Sequence, residues 1–93
     1  MTNYERGVAF EREVAEHYRN KGAVVVRAAG SHSPFDLVVL HPYEMPIVIQ
    51  CKRYSKYKAY PDNEYKNLRV NGAIKIWASK KKGERKFELE VVS

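Results

Sequence analysis

Asp36, Gln50 and Lys52 lie in the pattern Asp-x13-Gln-x-Lys. An aspartate and an amide carbonyl are hard oxygen donors of the kind Mg²⁺ prefers. A lysine beside them can balance charge on a phosphate or orient an attacking water. Strand alternation puts Asp36 on one face with Val38 and Leu40, and Gln50 on one face with Val48 and Lys52. Ile47, Ile49 and Cys51 then face the other way, which aims Cys51 away from this group. A lone Asp or Lys among apolar strand residues is costly, and a mutual cluster or a bound cation relieves it.

The elements that must position these residues follow from periodicity. Gly7, Phe10, Val14 and Tyr18 form a stripe at helical spacing, which predicts a helix from about Tyr4 to Asn20. Thr2 or Asn3 caps it and Lys21-Gly22 closes it. Glu11 falls at the edge of the stripe, half covered by whatever the helix packs on. Residues 23–27 read as a strand, 28–34 as a loop or tight turn, and 35–40 as a second strand. Two prolines bracket a turn over 41–46, and 47–52 forms a third strand in a hairpin with the second. Asp36 and the Gln50/Lys52 pair then converge at one end of that hairpin.

A short helix over about 62–68, begun by Pro61-Asp62, a strand over 73–78, a basic turn at Lys80-Lys81-Lys82-Gly83 and a last strand over 86–92 complete the chain. The order α-β-β-β-α-β-β predicts an α/β protein with a mixed sheet flanked by helices.

With 93 residues, the chain is expected to be a single domain, residues 1–93. A domain this small buries a limited share of its surface, which favours a homodimer. Apolar residues at 44% and charged residues at 30% suit a folded chain. No apolar run is long enough to span a bilayer, and a lone cysteine fits a reducing cytoplasm. Residues 1–51 hold five Lys/Arg against six Asp/Glu, net −1, whereas 52–93 hold twelve against five, net +7. Basic residues alternate with aromatics from Lys52 to Tyr60, offering phosphate neutralisation and stacking surfaces. A solvated lysine-rich face is the plainer reading of that segment. No Gly-rich phosphate loop is present, so nucleotide cofactors are not expected.

Two stretches add specificity: Arg6-Gly7-x-x-x-Glu11-Arg12-Glu13, and Val26-Arg27-x-x-Gly30-Ser31 leading to Asp36-Leu37-Val38. With Gln50-Cys51-Lys52 they resemble, in order and spacing, the archaeal Holliday junction resolvases of the PD-(D/E)xK nuclease superfamily. The resemblance covers residues 5–53. It implies a restriction-endonuclease-like core, Mg²⁺ (with Mn²⁺ able to substitute), branched DNA as partner, a homodimer, and an origin in an archaeon or a virus. It also implies roles. Glu11 matches a catalytic acid on the first helix, Asp36 the central metal ligand, Lys52 the motif lysine, and Ser31 a turn serine near the scissile phosphate. Arg12 and Arg27 match DNA-contacting residues, and Arg53, Lys56 and Lys58 of the basic segment are expected to grip the backbone.

One departure stands out: Gln50 occupies the position of the family's second metal-binding glutamate. Its amide brings no charge, so the ion is expected to bind less tightly, with Glu11 or Glu13 supplying the missing carboxylate. The competing readings are a nuclease acting on nicked, flapped or single-stranded DNA, and a dimeric DNA-binding module without turnover. Residue by residue, Asp36 can be a turn cap, Lys52 the start of a basic loop, and Ser31 a simple turn residue. His32 reads as exposed and His17 as a packing residue, while Trp77 and Phe87 read as core or dimer interface. Cys51 has no Cys/His cluster around it, so zinc is not indicated.

Overall fold

A computed structural model describes residues 2–28 and 33–92. Helix α1 spans Asn3–Arg19. Its start is set by Thr2, whose hydroxyl accepts the Glu5 N–H at 3.1 Å while the Glu5 carboxylate reaches back to the Thr2 N–H at 3.4 Å. Its end is set by Asn20 and by Gly22, whose φ of 91° is the left-handed geometry glycine adopts without strain. Phe10, Val14, Ala15 and Tyr18 are its buried side chains. They pack on the inward residues of the sheet, among them Val25, Leu37, Val39, Ile49, Ile76 and Ala78.

Five strands follow: β1 Val24–Arg27, β2 Leu37–Leu40, β3 Ile47–Tyr54, β4 Ile74–Lys81 and β5 Glu88–Val91. They pair in chain order, antiparallel except for β3 and β4, which run parallel. A parallel pair needs a crossover, and the segment carrying α2 (Asn63–Asn67) supplies it. The Asp62 carboxylate caps α2 by accepting the Tyr65 N–H at 2.8 Å.

The crossover lies on the sheet face opposite α1. There the Tyr65 hydroxyl donates to the Ile76 carbonyl at 2.7 Å, and the Trp77 indole donates to Ala59 O at 3.0 Å. Trp77 is therefore a core residue. Lys75 is buried on this face and donates to the main-chain oxygens of Tyr65, Lys66 and Leu68. A charged donor thus satisfies carbonyls that the end of a short helix leaves orphaned. The crossover does not reach the β1–β2 end, where Val24, Val26 and Leu40 remain 63%, 50% and 43% exposed. Among the described residues, no helix is long and apolar enough to cross a membrane.

Several boundaries differ from the sequence expectation: β2 begins at Leu37 rather than Phe35, and β5 spans Glu88–Val91 rather than 86–92. β3 continues to Tyr54, and β4 continues to Lys81, so Lys80 and Lys81 are strand residues and the basic turn is shorter. Parallel pairing of Arg53 with Lys80 and of Tyr54 with Lys81 holds both strands extended. Lys80 gains a partner too, lying 2.6 Å from the Glu13 carboxylate. That pairing engages Glu13 with a lysine of β4. His17 packs edge-on against Tyr18 and Phe87, in line with a packing role.

Candidate active site

Asp36 precedes β2 and is held by the backbone on both sides. Its N–H donates to Ile49 O at 2.8 Å, and its carbonyl accepts the Ala28 N–H at 2.9 Å. These bonds carry the pairing of the β1–β2–β3 ribbon one step past the end of β2. The Asp36 Oδ2 accepts the Cys51 N–H at 2.8 Å. Cys51 lies between Gln50 and Lys52, so this bond fixes Asp36 against the Gln-x-Lys segment. The other carboxylate oxygen makes no hydrogen bond to a described residue.

Glu11 reaches the same neighbourhood from α1. Its carboxylate pairs with the Arg27 guanidinium at 3.2 Å, the side chains being 20% and 27% exposed. The Cys51 thiol reports on both acids: burial pushes its pKa up, and the negative charges of Asp36 and then Glu11 push it further. It is the main-chain N–H of Cys51 that touches Asp36, while its side chain packs on the α1 side of the sheet. Strand alternation separates Cys51 from Gln50 as expected, but the groove that Glu11 borders lies on the Cys51 side. Past Ile49, β3 has outrun its pairing with β2, and its side chains border a groove beneath the first half of α1.

That groove has a volume of about 480 Å³ and takes in Arg6, Gly7, Glu11, Lys52, Arg53 and Lys82, with Cys51 also on its wall. Gln50 lines a different cavity, of about 390 Å³, with Pro34, Asp62, Glu64 and Tyr65. The structure thus brings Glu11, Cys51 and Lys52 to one groove, hydrogen-bonds Asp36 to its wall, and turns Gln50 toward the α2 side. Ser31, with Gly30 and His32, lies outside the described residues.

The expected DNA-contacting residues are spread out. Arg12 is exposed on α1, and Arg53 is half-buried at the groove. Arg27 faces Glu11, and its buried Nε has no hydrogen-bond partner among the described residues. Lys56 and Lys58 lie over the rings of Tyr57 and Tyr60, and Lys58 also pairs with Glu88 at 2.6 Å. Sequence reading alone missed Lys82 and the proximity of Cys51. Lys82 follows β4, and the parallel pairing with β3, continued by the bond from its N–H to Tyr54 O at 2.7 Å, brings it to the groove.

The donor set suits a hard divalent cation: two carboxylates, one with an oxygen left free by its hydrogen bonding. Among the described residues, no group of three or more His, Cys, Asp or Glu forms a metal site. The set leaning on Glu11, Asp36 and Gln50 contains only two of those residue types.

A mixed five-stranded sheet with an acid-bearing helix on one face and a parallel crossover on the other is the restriction-endonuclease-like nuclease fold. A family model for archaeal Holliday junction resolvase (Hjc) matches residues 2–90, and the chain belongs to that family. Among solved structures, the chain resembles Hjc of Archaeoglobus fulgidus, a Holliday junction resolvase from an archaeal hyperthermophile. The TM-score is 0.69 at 25% identity, over 90% of this chain and 74% of that one. Comparison with curated proteins finds no match. The family is one of nucleases that use a divalent metal.

Proposed function

We propose that the chain is a Mg²⁺-dependent endonuclease that cuts four-way DNA junctions by phosphodiester hydrolysis. The observation that carries the reading is the 2.8 Å hydrogen bond from the Cys51 N–H to Asp36 Oδ2, at a strand segment that lines the same groove as Glu11. Two acids from a helix and a strand end share one locality, and Lys52 borders it. Glu11 and Asp36 hold the ion, with the Gln50 carbonyl as a neutral third donor, and Mn²⁺ can substitute. When bound, the ion supplies Lewis acidity to a phosphate oxygen and to the attacking water. Lys52 balances negative charge that builds on the phosphate, and Ser31, by its match to the family's serine, acts near the scissile phosphate. Arg12, Arg27, Arg53, Lys56 and Lys58 hold the DNA backbone, which fixes position without reading sequence.

A homodimer gives two such sites for two strands. The uncovered Val24, Val26 and Leu40 at the β1–β2 end supply an apolar surface for it. The test is incubation of the protein with a synthetic four-way junction in Mg²⁺, in Mn²⁺ and in EDTA. Paired nicks that need the metal are expected, from a species sedimenting at twice the 10.8 kDa chain mass. Junctions that are bound but never nicked under any metal would instead identify a DNA-binding module without turnover.

Gln50 offers a separate expectation. Gln50→Glu adds one negative charge to the donor set and should raise Mg²⁺ affinity roughly tenfold, since charge count tunes affinity at oxygen sites. Calorimetric titration of both proteins reads this directly. Equal affinities would mean that residue 50, turned toward Asp62 and Glu64, does not reach the ion.

A further inference from the structure

Among the described residues, nothing requires position 7 to be glycine. It lies inside α1, where only proline is a poorer helix former. Its φ is not among the positive ones, which belong to Gly22, Gly72 and Gly83. A Cβ built on it meets no atom of a described residue within 4 Å. Neither backbone geometry nor close packing among the described residues therefore requires the missing side chain. The remaining reason lies outside the protein, where a ligand approaches the backbone closely.

The open space beside Gly7 is the groove that leads from Glu11 and Lys52. Its charged residues are Arg6, Lys52, Arg53 and Lys82 against the single carboxylate of Glu11. Arg6 comes from the start of α1, Lys52 and Arg53 from β3, and Lys82 from the β4–β5 turn, so three separate elements deliver the cations. The Lys82 N–H bond to Tyr54 O ties the last of these to the end of β3. A channel with this excess of cations suits an extended polyanion.

We propose that this groove carries the sugar–phosphate strand that flanks the scissile phosphate, and that Gly7 is the clearance point where that strand passes against the bare backbone of α1. This rests on the nuclease reading and deepens it. Gly7 then sets how closely DNA seats, whereas Arg6, Arg53 and Lys82 set how strongly its charge is held.

The experiment measures thermal unfolding of wild type, Gly7→Ala and Gly7→Leu, and their binding to a four-way junction in EDTA over a range of salt. Both variants replace a poor helix former, so Tm should rise by about 4 °C for Gly7→Ala. Junction Kd should rise for both, by about tenfold for Gly7→Leu, at every salt concentration. The slope of log Kd against log salt should stay unchanged, because the obstruction is steric. In Arg53→Ala that slope should fall by about one. A stably folded Gly7→Leu that binds the junction like wild type overturns the groove assignment and leaves the nuclease reading standing. A wild type that binds neither junction nor duplex overturns both.

Discussion

The Asp36→Asn protein binds a four-way junction with unchanged affinity in EDTA and, with Mg²⁺, cuts it about 10²- to 10³-fold more slowly than wild type. The two halves of that expectation have separate causes. Asparagine keeps an oxygen where Asp36 accepts the Cys51 N–H at 2.8 Å, so the end of β3 stays in place. It removes the negative charge on the oxygen that faces the proposed ion, and with it the pull on the cation. Asp36→Ala makes the contrast sharper. It loses the charge and also strands the Cys51 N–H, which costs about 1–3 kcal/mol of stability where the group is shielded from water. Single-turnover cleavage, junction binding and thermal unfolding of the two variants read these effects. An Asn variant that cuts at the wild-type rate would remove Asp36 from the catalytic set.

The second large effect is expected at Glu11. Glu11→Gln should slow cleavage by about 10²-fold or more, because one of only two carboxylates is lost from the site. Its ion pair with Arg27 adds a reciprocal test. The guanidinium, 3.2 Å away, competes with a cation for the same carboxylate. Arg27→Met should therefore raise Mg²⁺ affinity in the absence of DNA. It should lower junction affinity at the same time, because the proposed phosphate contact of Arg27 disappears. Calorimetry with Mg²⁺ and a binding assay in EDTA separate the two. If Arg27→Met leaves Mg²⁺ affinity untouched, the pair with Glu11 does not hold back the cation, and Arg27 acts on DNA alone.

Much of the frame was legible in local pattern. The stripe of Phe10, Val14 and Tyr18 marked α1 and its buried side. The prolines at 42 and 46 marked the turn of the β2–β3 hairpin, and the observed pairing of Leu37 with Ile49 confirms it. Pro61-Asp62 marked the start of α2, where Asp62 does cap. Such signals are short-range: a cap, a turn or a period is complete within a few residues, so the chain carries it openly.

What lay beyond reach depended on partners distant in sequence. The length of β4 came from parallel pairing with β3, which places Lys80 beside Arg53 and within reach of Glu13. The burial of Lys75 came from the α2 crossover folding over the sheet, which turned three helix-end carbonyls toward one ammonium. Alternation separates Cys51 from Gln50, and the structure keeps that division; which of the two faces meets α1 and Glu11 was set by the packing of the helix on the sheet.

The order of its chemical residues, the helix that carries Glu11 and the hairpin that presents Asp36 and Lys52 were thus properties of the sequence itself, because each depends on neighbours along the chain. The groove was decided only by tertiary structure. So were the placing of Cys51 on the groove wall, the turning of Gln50 toward α2 and the arrival of Lys82. Each of these requires a crossover, a strand overhang or a hairpin docking, and those are contacts that no local pattern encodes.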